Sequence, residues 1–177
     1  GDDHAVLSNF VINDGVPSVT VTLNYNEEGV EDVVVNGELN AVISTMEALT
    51  TNAPAETDAR HFGGWYYDAE CTQAVGETDA LLASIVLYAK YLYPATISFE
   101  TDGADPIEAI SVWTGVAIEN MPENPSKPGY IFRYWLDENA DEFVPANGVT
   151  GSCTLYAYFE ELPVGSTKEE ALEIQLE

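Results

Sequence analysis

The chain has 177 residues, with 31 acidic and 5 basic side chains, for a formal net charge of −26. Phosphate binding needs clustered Lys and Arg, so this charge excludes a nucleic-acid groove and disfavours an anionic membrane surface. At 46% hydrophobic and 11% aromatic residues, the chain is too rich in core formers for a disordered acidic tail.

The charge is uniform: residues 1–93 and 94–177 carry −13 each. No stretch is long enough for a membrane span, since the apolar run from Ala80 to Ala89 is bounded by Asp79 and Lys90. Gly1 reads as a cleavage scar, so the expectation is that an exported precursor could have lost its signal peptide. Two cysteines, Cys71 and Cys153, are too few for a disulfide framework.

Residues 1–17 contain a candidate strand, Ala5 to Ile12, ahead of the turn signal Asn13-Asp14-Gly15. Val19 to Tyr25 alternates apolar and polar residues, which predicts a half-buried strand. Leu39, Val42, Ile43, Met46 and Leu49 follow at helical spacing and predict an amphipathic helix. The aromatic run Phe62-Gly63-Gly64-Trp65-Tyr66-Tyr67 and the closing run Leu87-Tyr88-Ala89 complete a first set of elements.

The set then recurs. Ala95 to Thr101 repeats the first strand, with Ile97 and Phe99 inward; Phe132 to Trp135 repeats the aromatic run; Leu155-Tyr156-Ala157 repeats the closing strand. The offsets are 76, 70 and 68 residues, so the order holds while loop lengths drift. The second copy has a shorter middle, Gly115 to Pro122, where Pro122 and Pro125 would stop a helical turn early. Two tandem modules follow, 18–92 and 94–162, joined at Tyr93-Pro94, a junction short enough that they abut. Residues 163–177 mix a helix-start signal with strand alternation at Leu172, Ile174 and Leu176, and could begin a next domain.

The run Lys127-Pro128-Gly129-Tyr130-Ile131-Phe132, then Trp135, then Leu155-Tyr156-Ala157, resembles the Listeria–Bacteroides (internalin B-repeat type) family. Its members read "K-x-G-Y-x-F-x-G-W-Y" followed by an Asp-rich loop and "T-L-Y-A-x-W". The second copy has Tyr134 in place of the usual Gly. The first keeps Phe62, Gly64, Trp65 and Tyr66 but has Ala59-Arg60 where Gly-Tyr is usual. Tyr91 and Phe159 stand where Trp is common. The resemblance implies an α+β fold of two small, β-rich, β-grasp-like (ubiquitin-like) modules in an exported bacterial surface protein, with no common catalytic role.

The sequence holds few residues suited to chemistry. His61 lies within the aromatic strand and His4 in the terminal segment; Cys153 occupies the position of Ile85 and reads as a small core residue; Cys71 reads as a free loop thiol. No nucleophile elbow, zinc-protease helix, Cys-x-x-Cys or phosphate loop occurs. Asp137, Asn139 and Asp141 open like a calcium loop, but Glu142 and Gly148 replace its turn glycine and its bidentate Glu. We therefore expect no catalytic residue, cofactor or metal site. Trp65, Trp135, Tyr88 and Tyr156 recur in both copies, as core aromatics would. Trp113, Tyr67 and Tyr134 lack equivalents and are the candidate exposed contacts. The expected function is a monomeric spacer and adhesion or protein-interaction module at the cell surface, without nucleic-acid binding; the alternative is a secreted glycan- or calcium-binding module.

Overall fold

The computed structural model describes residues 11–13 and 15–163. The N-terminal part of the expected strand before Val11 and the segment after Pro163 lie outside the described residues. The chain divides into two units, 1–92 and 93–177.

In the first unit, β1 (Val11–Asn13) pairs antiparallel with the start of β2 (Val16–Asn24). Asn13 faces Val16, and Gly15 between them has the positive φ (+85°) that a tight hairpin turn needs. β2 also pairs antiparallel with β3 (Val33–Glu38) and parallel with β5 (Ile85–Leu92), which in turn pairs antiparallel with β4 (His61–Tyr66). Leaving β1 aside, the order across the sheet is β3-β2-β5-β4. The second unit repeats it: β7 (Ile110–Trp113), β6 (Pro94–Glu100), β9 (Cys153–Glu161) and β8 (Tyr130–Leu136) form a β7-β6-β9-β8 sheet, with β6 and β9 parallel. Among the described residues, both units are β-rich with little helix.

The alternation in β2 is realised as expected. Val19, Val21 and Leu23 are buried, and they pack with Leu87, Ala89 and Trp65 in the first core. In the second unit Ile97, Leu155, Phe132 and Trp135 take the equivalent places, and Phe99 packs against them. Cys153 pairs with Ile97 as Ile85 pairs with Val21 and packs against the second core, as its position in the repeat implied.

The aromatic strand contains a feature that simple alternation misses. Phe62 and Trp65, like Phe132 and Trp135, are three residues apart, which in a regular strand puts them on opposite faces. Here both rings contact the core side, 5.3 Å apart in each unit. A β-bulge reconciles this: the register shifts between Phe62 and Trp65, and between Phe132 and Tyr134. The first copy makes its bulge with Gly64 at φ +109°. In the second, neither Arg133 nor Tyr134 has a positive φ, so Tyr can stand where the repeat pattern has Gly.

The helix predicted over Leu39 to Leu49 does not form as one piece. A 3-10 turn, Ile43–Thr45, and a single helical turn α1, Glu47–Thr51, are separated by Met46 in extended conformation. The cause is competition for backbone groups. The N–H of Asn40 donates to the Leu81 carbonyl, that of Ile43 to Asp79, and the Ala41 carbonyl accepts from Leu81. These groups are thus unavailable to a helix, while Ile43 and Leu49 still bury the predicted apolar stripe. The turn expected over Gly115 to Pro122 is likewise absent. That segment is held instead by Gly115 N–H to Val149 O and Ile118 N–H to Pro145 O, against a 3-10 turn at Pro145–Asn147 capped by Gly148 at φ +65°.

Each unit also has a side-chain tie not anticipated from sequence. The Ser84 hydroxyl accepts the Thr20 N–H at 3.0 Å, and the Ser152 hydroxyl accepts the Thr96 N–H at 2.9 Å. Both serines stand immediately before the closing strand, so each fastens its start to the first strand.

Candidate functional site

The solvent face of each sheet presents tyrosine. In β5, Leu87 and Ala89 are fully buried, so Tyr88 between them must point to the other face. It lies opposite Tyr66 of β4 and beside Asn24 of β2. The Lys90 ammonium, two residues on, donates to the Tyr66 hydroxyl at 3.3 Å and sits 5.0 Å from the centre of its ring. In β9, Leu155 is buried and Tyr156 is 43% exposed, opposite Leu136 of β8 and beside Glu100 of β6. Tyr158 follows on the same face, and its ring stacks on Tyr134, 5.1 Å between centroids and 16° between planes.

This corrects the sequence reading of the recurring aromatics. Trp65 and Trp135 are core, 7% and 5% exposed, whereas Tyr88 and Tyr156 belong to the opposite face. Recurrence in both copies does not make these tyrosines core: strand parity beside inward neighbours turns each ring to the other face.

The three non-recurring aromatics sit in different settings. Tyr134 is on the solvent face, half-buried under its stack with Tyr158. Trp113 is half-buried at the end of β7, where that strand and residues 116–120 line a cleft of about 540 Å³. Tyr67 packs against the first core, and its hydroxyl donates to Asp79 Oδ2 at 2.8 Å. Burial, the hydrogen bond to the carboxylate and its negative charge push the Tyr67 hydroxyl up to about 12. The Asp79 carboxyl is held below the usual range, first by the Gly76 N–H and then by Tyr67.

The linkage has a definite sign. The unfolded hydroxyl ionises near 10.0 and the folded one near 12, so its stabilising contribution is complete below pH 10 and is lost as pH rises through about 12. In an ultraviolet titration, Tyr67→Phe should remove one tyrosine's worth of ionisation signal near pH 12. If the signal near pH 12 is undiminished in the variant, the assignment is wrong.

Among the described residues, several groups that could do chemistry are engaged in structure. Both thiols are free, and burial is the main cause that raises each of them, so neither is activated at neutral pH. His61 is half-buried at the start of β4. The acidic loops after the Trp strands use carboxylates to shape turns. Asp68 accepts from the Thr72 N–H and hydroxyl and from the Gln73 N–H, which holds its carboxyl below the usual range. Asp137 Oδ1 accepts from the N–H groups of Asn139 and Asp141. Among the described residues, no three acidic, His or Cys groups converge as metal ligands. The described basic residues are also engaged: Arg60 with Glu27, Lys127 with Asp102, Arg133 with Glu160, and Lys90 with Tyr66. No helix among the described residues is long and apolar enough to cross a membrane.

Two copies of one four-stranded mixed sheet, each with a Phe–Trp bulge in its core and an outward Tyr on the closing strand, define a tandem repeat protein. The Listeria-Bacteroides repeat domain family matches residues 20–90 and 96–158, and the chain belongs to this family. The chain is also similar to two proteins of Evansella cellulosilytica. One, named "Putative Gly-rich membrane protein", is 33% identical over 121 residues, covering 64% of this chain and 14% of that protein. The other, named "Putative membrane protein", is 31% identical over 126 residues, covering 65% of this chain and 19% of that protein. The matched region thus spans less than a fifth of the length of either relative.

Proposed function

We propose that the chain is a non-enzymatic repeat region of an exported bacterial surface protein, acting as a spacer and as an adhesion or protein-interaction module, with 18–92 and 94–162 as its modules. The observation that carries the reading is the outward tyrosine at the same sheet position in both copies. A core does not require it, whereas a repeated surface contact does. Tandem copies multiply weak contacts through effective concentration. The family match and the two relatives named as membrane proteins support a cell-surface setting. The empty catalytic inventory supports a role without turnover, and the negative field favours protein or glycan partners over polyanions. The module reading is β-grasp-like and α+β; the strand order with parallel first and last strands, and the short helical turns between the second and third strands of the first unit, support it.

A glycan is the second reading, because Tyr88 and Tyr156 each offer a ring next to a polar neighbour, Asn24 and Glu100. The test is retention of the intact chain on bacterial and host cell surfaces and on immobilised glycans, compared with Tyr88→Ser, Tyr156→Ser and the double variant. Each single change should weaken retention, and the double change should reduce it about 100-fold through lost avidity. Unchanged retention by the double variant, or reproducible turnover of any glycan or peptide, would defeat the proposal.

A further inference from the structure

We propose that each unit is a force-bearing link, built so that tension passed along the chain loads its central strand pair in shear. This goes beyond a spacer, which needs only length.

The argument rests on which strands pair. In the first unit, once the three-residue arm β1 has peeled from the start of β2, β2 is the entering strand. It and the leaving strand β5 are neighbours and run parallel, with Val21, Thr22, Leu23 and Asn24 facing Ile85, Val86, Leu87 and Tyr88. In the second, Ile97, Ser98, Phe99 and Glu100 of β6 face Cys153, Thr154, Leu155 and Tyr156 of β9. Because the strands are parallel, the chain enters at one end of the pair and leaves at the other. A pull on the chain ends therefore acts along the strand axis in opposite directions on the two strands. The hydrogen bonds of a parallel ladder, evenly spaced between the strands, are then strained together. An antiparallel hairpin pulled from its two ends would instead open one bond at a time.

Two further features resist sliding. The strands carry fully buried side chains, Val21, Leu23 and Leu87 in one unit and Ile97 and Leu155 in the other, so slippage drags apolar groups out of close-packed cores. The serine ties, Ser84 to Thr20 and Ser152 to Thr96, add a bond just ahead of the first registered pair in each unit. A one-residue slip would also turn the inward set of side chains towards solvent.

The test is single-molecule pulling on the whole chain. Held by its two ends, it should show two unfolding events, each releasing about 20–25 nm, the length expected of roughly 70 residues drawn out from a compact unit. A second attachment uses bio-orthogonal handles at Gly29, in the loop after β2, and at the exposed Tyr93, just after β5. Both points lie at the same end of the parallel pair, so this pull peels it from Asn24 and Tyr88 inward. The first unit should then open at a several-fold lower force than when pulled from the chain ends. Equal or higher force in the peeling geometry would overturn the proposal. No partner is present in this measurement, so loss of surface retention would count against the adhesion reading alone, and equal forces against the link alone.

Discussion

Trp135→Ala is expected to destabilise the second unit by about 3–5 kcal/mol, the range for removing a large aromatic ring from a packed core. The ring is 5% exposed and meets Phe99 at 4.9 Å and Phe132 at 5.3 Å between centroids, so the cavity left behind is lined by stiff neighbours that collapse poorly. Trp65→Ala should cost at least as much in the first unit, because its indole N–H also donates to the Leu49 carbonyl at 3.1 Å and anchors α1. Hydrogen exchange of the β6 and β9 amides reads the second unit specifically. A loss below about 1 kcal/mol there would mean that the ring does not organise the core.

Gly148→Ala should be the other large effect, about 2–4 kcal/mol, from positive-φ strain combined with a collision that the backbone must relieve. Gly148 sits at φ +65°, and a Cβ added there would run into the carbonyl oxygen of Val116. Relief would require moving residues 115–118 away from the turn at 145–148 to which they are bonded. Gly103→Ala is the milder comparison: its φ of +86° is also positive, but nothing lies within 4 Å of the added carbon. Gly148, by contrast, joins the collision to φ +65° with ψ −164°, a region only glycine adopts freely. Gly103→Ala should therefore cost only about 1 kcal/mol. Similar losses for both variants, measured by denaturant unfolding, would remove the steric part of the account.

Much of this architecture is written locally. Val19 to Leu23 and Ala95 to Phe99 alternate as half-buried strands must, and the ordered recurrence of three segments sets the two units. The broken helix was not legible, because apolar spacing from Leu39 to Leu49 reports which side faces the core and not which backbone partner is nearer; residues 79–81 won those hydrogen bonds. The outward Tyr88 and Tyr156 were legible in principle. Their Leu and Ala neighbours are both small or aliphatic core formers, and parity then assigns the ring to solvent. Recurrence by itself does not separate a core ring from a repeated surface ring. The paired serines left a trace as well, since Ser84 and Ser152 each precede the closing strand, but a hydroxyl there has many readings until the facing strand is known.

The bulge in β8 gives the strand a spare letter. Phe132 faces Phe159 and Tyr134 faces Tyr158, so Arg133 is a residue the partner strand does not count. A chain lacking it would read Phe132, Tyr134, Trp135 in plain alternation, with both large rings still turned inward and the downstream register intact. The aromatic spacing is thus indifferent to one residue more or less at this point. A repeat unit built this way can drift in length within a strand, where such drift normally inverts everything that follows.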